Sequence, residues 1–167
     1  MAMPTVRNLL IAALLAVCAA QTAFAEESGT YELIATEVRD YTTLEHAGRT
    51  ITGGSLEGTA SVVATSGGPF ADGADYRVTC VVYVKKSDAG LDLEAPCTMT
   101  DGAGDALYVL AERRAGTVDA GGGGAGIHRI LGGTGKFSGI VGRCPYTTSY
   151  LPDKWIVTRA TCTWRRP

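Results

Sequence analysis

Residues 76–100 read YRVTCVVYVKKSDAGLDLEAPCTMT, and this stretch predicts a β-hairpin. Two segments in which apolar and polar residues alternate, 76–86 and 91–100, flank a short loop that ends at Gly90, where a left-handed backbone is common. Antiparallel pairing around the loop opposes Val84 to Leu93, Val82 to Ala95, Cys80 to Cys97 and Val78 to Met99 on one face, and Lys85 to Asp92, Tyr83 to Glu94 and Thr79 to Thr98 on the other. A shift of one residue would move Leu93 and Met99 to the polar face, so the alternation sets the register.

The same pattern recurs along the rest of the chain. Further alternating or β-branched segments are residues 29–38, 55–65, 106–114, 126–131, 137–150 and 155–165. Breaks rich in glycine and aspartate separate them, and no segment after residue 25 has the period of a helix. The pattern predicts a single all-β domain over residues 26–167, either a sandwich or a barrel.

The first 25 residues have the pattern of a cleaved export signal. Arg7 provides the positive charge, residues 9–17 (LLIAALLAV) are apolar, and Ala23 and Ala25 are the small residues expected before a cleavage site. A membrane anchor would need about 20 continuous apolar residues, and Gln21 interrupts the run before that length. Lipid attachment at Cys18 is an alternative, but Val17 stands where a small residue is expected. We therefore expect a secreted or periplasmic protein that is not inserted in the membrane once the signal is removed.

Removal of the signal leaves four cysteines, which are Cys80, Cys97, Cys144 and Cys162. An even number of cysteines in an exported chain favours two disulfides. The hairpin above opposes Cys80 to Cys97, and a turn at residues 152–154 opposes Cys144 to Cys162. We expect these two pairs, with bridges to more distant strands as the alternative. No metal site is predicted, because no CxxC occurs and the two histidines of the chain are far apart in sequence.

Composition and motifs argue against several functions. The formal net charge is −2 and the isoelectric point is about 5.7, so there is no overall positive field to hold nucleic acid. The segment LGGTGKFSGIVG at residues 131–142 is not a nucleotide-binding loop, because Phe137 replaces the Ser or Thr that should follow Lys136. No GxSxG nucleophile motif occurs, and no cofactor is predicted. Residues 101–105 (DGAGD) favour a β-turn over a calcium loop, since they lack the regular ligand alternation.

Residues 131–142 carry a family resemblance. Together with CTMTDGAGD at residues 97–105 and the strand ALYVL that follows it, they resemble the allene oxide cyclase-like and dirigent-like β-barrel superfamily, above all its small exported bacterial members. The resemblance implies a closed antiparallel barrel of about eight strands, often a homo-oligomer, with a lumen able to take a small apolar molecule. No catalytic residue is carried over, because those of the family do not align with this chain.

The polar residues that strand alternation can project into such a barrel are Tyr83, Tyr108, Glu112, Arg143 and Tyr146. Tyr108 and Glu112 share one face of their strand, because they are separated by a multiple of two residues. A glutamate buried beside a tyrosine would have a raised pKa and would exchange protons with a substrate. The competing interpretation is that Glu112 pairs with a nearby arginine at the barrel rim. We predict these five residues as ligand-binding candidates and leave the catalytic residues unassigned.

Three functions are compatible with these features. The favoured one is an exported barrel that binds a small apolar ligand in its lumen without catalysis. The second is a cofactor-free cyclase or isomerase in which Glu112, Tyr108 or Tyr83 handles protons. The third is a protein-interaction module such as an inhibitor of an extracellular enzyme. His128 is expected at a solvated strand end rather than in a catalytic role.

Overall fold

The protein forms a closed antiparallel barrel of eight strands in a computed structural model that describes residues 27–114 and 123–167. The strands are β1 (Glu27–His46), β2 (Arg49–Thr65), β3 (Asp75–Ser87), β4 (Gly90–Asp101), β5 (Ala106–Arg113), β6 (Gly123–Gly133), β7 (Val141–Tyr150) and β8 (Trp155–Arg166), with a 3-10 helix at Gly135–Phe137. Each strand pairs with its neighbour in sequence, and β8 closes the barrel on β1. The predicted all-β barrel is confirmed, whereas the predicted export signal lies outside the described residues. No helix in the described ranges combines the length and apolar character needed to span a membrane.

The hairpin that opened the sequence analysis has the predicted register. Val84 pairs with Leu93, Tyr83 with Glu94, and Val78 with Met99. Val78, Val84, Leu93 and Met99 face the interior while Tyr83 and Glu94 face outward, because the pleat sends alternate side chains to opposite faces. Local alternation was sufficient to set this register.

Both predicted disulfides are present. Cys80 is bonded to Cys97 and joins β3 to β4, and Cys144 is bonded to Cys162 and joins β7 to β8. Cys80, Cys144 and Cys162 are buried on the inner side of the wall. Each bridge therefore reinforces one hairpin, and neither crosses the barrel.

One end of the barrel, here called the base, is filled by aromatic side chains. Phe70, from the β2–β3 connection, stacks on Tyr31 with ring centroids 3.8 Å apart. Phe137, from the 3-10 helix, lies 5.5 Å from Phe70 and 6.0 Å from Tyr76. Trp164 lies 6.0 Å from Phe70. These five rings form the aromatic plug, which closes the base and leaves the opposite end, the mouth, as the open side of the lumen.

The two segments that carried the family resemblance meet at the base. The Asp101 carboxylate accepts hydrogen bonds from the backbone N–H of Ala103 and of Asp105, each at 2.9 Å, and pairs with Lys136 Nζ at 2.7 Å. The Asp105 carboxylate accepts the Lys136 N–H at 3.1 Å. These contacts make residues 101–105 a turn that holds the 3-10 helix and Phe137 in place. No cluster of three or more metal-ligating side chains is found among the described residues.

The Asp101 pairing predicts a stability difference that depends on pH. Its hydrogen bond to Lys136 holds the pKa of the Asp101 carboxyl below its usual range. The stabilisation is therefore complete above the pKa of the unfolded carboxyl and is lost as pH falls through the lower pKa of the folded one. We expect Asp101→Asn to lower the free energy of unfolding by about 1 kcal/mol at pH 7, because water screens the half-exposed Lys136. Urea unfolding should show a smaller difference at pH 2.5 than at pH 7, and an equal difference at both would contradict the assignment.

Candidate ligand-binding lumen

The barrel lumen contains a cavity open toward the mouth. Its volume is about 60 Å³, and the free space between its walls, counted out to solvent at the mouth, is about 670 Å³. About 10–15 Å³ of such volume holds one water molecule, so the enclosed part has room for several waters. The volume of about 60 Å³ lies below the range of about 300–1,000 Å³ that is typical of small-molecule sites, so a ligand held in this lumen would be small.

The walls of this cavity change character from base to mouth. Toward the base they are apolar, with Leu33, Ala35, Val78, Met99 and Val109 among the lining residues, and on β4 the apolar lining continues to Leu93, which pairs with Arg113. Toward the mouth they carry the polar side chains Glu37, Tyr41, Arg113, His128, Tyr146, Thr148, Tyr150 and Thr158, which we call the mouth cluster. A polar group on a ligand would therefore meet partners at the mouth, while an apolar body would lie deeper.

Arg113 is the cation of the mouth cluster. Its side chain comes from the last residue of β5 and is only 6% exposed. Its Nε donates a hydrogen bond to Tyr146 Oη at 3.1 Å, and its guanidinium carbon lies 5.3 Å from the centroid of the Tyr146 ring. No carboxylate of the described residues lies within ion-pair distance of it. A guanidinium has five N–H donors, so most of the hydrogen-bonding capacity of Arg113 is not used by the described residues.

Glu37 is the acid of the mouth cluster. It lies on β1 after the inward-facing Leu33 and Ala35, and it is 6% exposed. Burial raises the pKa of the Glu37 carboxyl to about 7, because the charged form loses its hydration. No hydrogen bond or ion pair joins Glu37 to another side chain within residues 27–114 and 123–167. Glu37 therefore exists in both protonation states near neutral pH.

Two rings complete the polar wall. His128 stacks on Tyr146 with centroids 4.2 Å apart. Burial and the neighbouring charge of Arg113 lower the pKa of His128 to about 4, so its imidazole is neutral at pH 7. A Cβ at Gly126 would overlap the Tyr146 ring, so this ring lies where glycine leaves room for it. The expectation of a solvated histidine at a strand end is wrong, because the alternation of β6 turns His128 inward.

The five ligand-binding candidates that the sequence predicted fall on two different faces of the barrel wall. Tyr146 lies in the lumen, whereas Tyr83, Tyr108, Glu112 and Arg143 lie on the outer wall. For Tyr108 and Glu112 the reason is the parity of β5, in which Leu107, Val109 and Ala111 take the inner face. Tyr83 and Arg143 point outward because their neighbours Val82 on β3 and Cys144 on β7 are buried on the inner face. The expectation that these four side chains project into the lumen is therefore wrong, and ligand contact by them stays a prediction.

Glu112 shows the rim pairing that was the competing interpretation. Its carboxylate pairs with Arg114 Nη2 at 2.8 Å and with Arg129 Nε at 2.6 Å, across the outer face of β5 and β6. These contacts neutralise the charge of Glu112 at the surface. The buried glutamate that the sequence analysis looked for is Glu37, on a different strand.

Sequence reasoning missed Glu37 and Arg113, although a signal for both was present. Glu37 follows the inward-facing residues Tyr31, Leu33 and Ala35 at the same spacing of two. Arg113 follows the inward-facing residues Leu107, Val109 and Ala111 in the same way. In a sequence, a charged residue at the end of an apolar alternating series indicates the position where the strand becomes exposed to solvent. Only closure of the barrel turns those positions into lumen wall.

Comparison with known proteins supports the fold. No family model matches the chain, and a search of curated proteins found no match. Among solved structures the barrel is similar to a pterocarpan synthase dirigent protein, with 14% sequence identity and a TM-score of 0.50 over 83% of this chain and 85% of that chain. The fold is a dirigent-like barrel. At this identity the likeness concerns the fold alone, so the dirigent-like part of the predicted resemblance is confirmed at that level.

Proposed function

We propose that this dirigent-like barrel binds a small organic molecule in its lumen without catalysis. The observation that carries the proposal is the gradient along the lumen, from an apolar wall near the aromatic plug to the mouth cluster. Ligand sites commonly combine a mostly apolar lining with a few polar groups that orient the ligand. The ligand would lie with its apolar body toward Val78 and Met99 and its polar group beside Arg113 and Tyr146.

A second candidate is the cofactor-free isomerase or cyclase. One observation favours it: Glu37 has a pKa near 7 and shares the lumen with a buried guanidinium. A carboxyl with that pKa donates and accepts protons at neutral pH, and Arg113 would stabilise an oxyanion. In this proposal Glu37 replaces Glu112 as the residue that moves the proton.

The third candidate, a protein-interaction module, would use the outer wall. The exposed apolar side chains there include Val81, Tyr83, Tyr108 and Leu131. A protein partner or a second copy of the chain would bind on this surface. Sedimentation of the purified protein, alone and with extracellular hydrolases, would detect either association.

We also propose that the protein acts outside the cytoplasm. Both disulfides join strands of the barrel wall, and disulfides of this kind persist in oxidising compartments. The export signal predicted at residues 1–25 favours the same location. Fractionation of the producing cells, with mass measurement of the mature chain, would test it through the expected loss of residues 1–25.

A blocked lumen should abolish binding of a neutral, ring-sized probe. Ala111 lines the cavity and is buried, so Ala111→Phe places a ring in the free space. We expect saturation-transfer NMR with benzyl alcohol to show binding to the wild type and at least a tenfold weaker signal with Ala111→Phe. The control is Val81→Phe on the outer wall, where Val81 is 66% exposed, and it should bind as the wild type does.

Overpacking can destabilise a core, so a second lumen variant accompanies the first. Ala95→Leu adds less volume to the same cavity and should weaken binding in the same direction. Equal binding by both lumen variants and the wild type would place the probe outside the lumen. Absence of binding to the folded wild type would contradict the proposed function.

A further inference from the structure

We propose that the lumen binds organic monoanions and takes up one proton with each anion, held at Glu37. This inference rests on the proposed function, because it names the class of ligand that the mouth cluster would select. The ligand is a small organic acid whose apolar body lies in the deeper lumen and whose anionic group lies against Arg113.

Arg113 has hydrogen-bonding capacity that the described residues do not use. A guanidinium buried without an acidic partner is unfavourable, and an anion that accepts two parallel N–H bonds relieves this cost. Nε is committed to Tyr146, and the remaining N–H groups belong to a side chain that lines the cavity. Tyr146 is a positioning residue here, since its hydroxyl holds the guanidinium against the wall.

The charge balance around Glu37 depends on the titratable groups that share its cavity. The titratable groups that line the cavity with it are Arg113 from β5, His128 from β6, Tyr146 and Tyr150 from β7, and Tyr41 from β1 itself. The imidazole is neutral at pH 7, and burial raises the pKa of the Tyr41 and Tyr146 hydroxyls. Arg39 lies at the rim, with its guanidinium 5.2 Å from the centroid of the Tyr150 ring. Arg113 is therefore the one cation among the described residues of the cavity wall.

One cation can neutralise one anion in a medium of low dielectric. With Glu37 ionised, a bound anion would place a second negative charge in a lumen whose described wall has one cation, whereas with Glu37 protonated the charges of ligand and guanidinium cancel. A protonated Glu37 also has an O–H that can donate to the ligand. Binding of an anion therefore draws a proton onto Glu37 wherever this carboxyl is ionised beforehand.

The coupling determines the direction of the pH dependence. The raised pKa of Glu37, about 7, means that most molecules carry the proton at pH 6 and few carry it at pH 8. Affinity for an organic anion should rise as pH falls through this range, while the ligand stays ionised. The proton taken up from solution per bound anion should approach one at pH 8 and decrease toward pH 6.

Calorimetry with benzoate tests the coupling directly. The full chain is produced in an exporting host with its own N-terminal segment and purified with both disulfides intact. Titration at pH 8 in Tris and in HEPES, which differ in ionisation enthalpy, should report uptake of about one proton per benzoate. The dissociation constant should be roughly fivefold to tenfold lower at pH 6.5 than at pH 8.

Two variants separate the roles of the charged groups. Glu37→Gln should bind benzoate without proton uptake and with no pH dependence. Arg113→Met should bind benzoate at least tenfold more weakly than the wild type does. It should still bind benzamide, the neutral near-isostere, with unchanged affinity. Glu57→Gln and Arg159→Met change exposed residues of the outer wall and should behave as the wild type.

Each contrary result has a distinct meaning. Benzoate binding without proton uptake, or with uptake that persists in Glu37→Gln, would overturn the coupling. Binding of benzamide but not of benzoate would overturn the anion inference and leave the proposed function in place. Failure of benzoate, benzamide and benzyl alcohol alike to bind the folded wild type would overturn the proposed function and this inference together.

Discussion

Replacing Phe137 by alanine is expected to lower the free energy of unfolding by about 3–5 kcal/mol. Phe137 is fully buried, and its ring packs between Phe70 and Tyr76 in the aromatic plug. Truncation removes the transfer free energy of the ring and leaves a cavity that the closed barrel can only partly fill, since the surrounding side chains are held by paired strands. Urea unfolding at pH 7 measures the difference.

Leu131→Ala is the matched control for this prediction. Leu131 is 54% exposed on β6, close in sequence to the same segment, and its truncation should change stability by less than about 0.5 kcal/mol. If Phe137→Ala also costs less than 1 kcal/mol, the plug does not stabilise the base of the barrel.

Loss of the Cys144–Cys162 disulfide is the second change with a large expected effect. The bridge spans a sequence separation of 18 and closes β7 onto β8, so in the loop-entropy model its removal costs about 3 kcal/mol. Both cysteines are buried, so we expect the double variant Cys144→Ala, Cys162→Ala to lose a little more through the missing sulfur contacts. Chemical unfolding under oxidising conditions measures this loss.

The other disulfide provides the comparison. Cys80 and Cys97 have a sequence separation of 17, so the entropic part of their contribution should be nearly the same. Cys97 is only partly buried, so Cys80→Ala with Cys97→Ala should cost no more than the first pair. A loss below 1 kcal/mol for both pairs would mean that the strand ladder alone holds the hairpins.

Local sequence patterns predicted the parts of this fold that neighbouring segments determine. The β3–β4 register followed from alternation, because a shift of one residue would expose Leu93 and Met99. The same hairpin geometry paired Cys80 with Cys97, and a turn at residues 152–154 paired Cys144 with Cys162. In each case the partners belong to one hairpin, so no knowledge of distant strands was needed.

The candidate site was harder to predict because it is assembled across the barrel. Glu37 comes from β1, Arg113 from β5 and Tyr146 from β7. Alternation shows that each belongs to one face of its strand, but it does not show that the three faces meet around one cavity. Of the residues that alternation predicted, Tyr146 lies in the lumen, whereas Tyr83, Tyr108, Glu112 and Arg143 lie on the outer face.

The sequence by itself determined an all-β chain and the β3–β4 register, and it favoured the two disulfide pairs, because these depend on contacts between segments close in sequence. Only the tertiary structure decided that Glu37 and Arg113 are lumen residues. In the sequence, their charged side chains indicate solvated strand ends. The pairing of β8 with β1 closes the sheet and makes these positions part of the lumen wall. Closure removes water from the inner face, and that loss of hydration raises the pKa of Glu37 and leaves Arg113 buried without an acidic partner among the described residues.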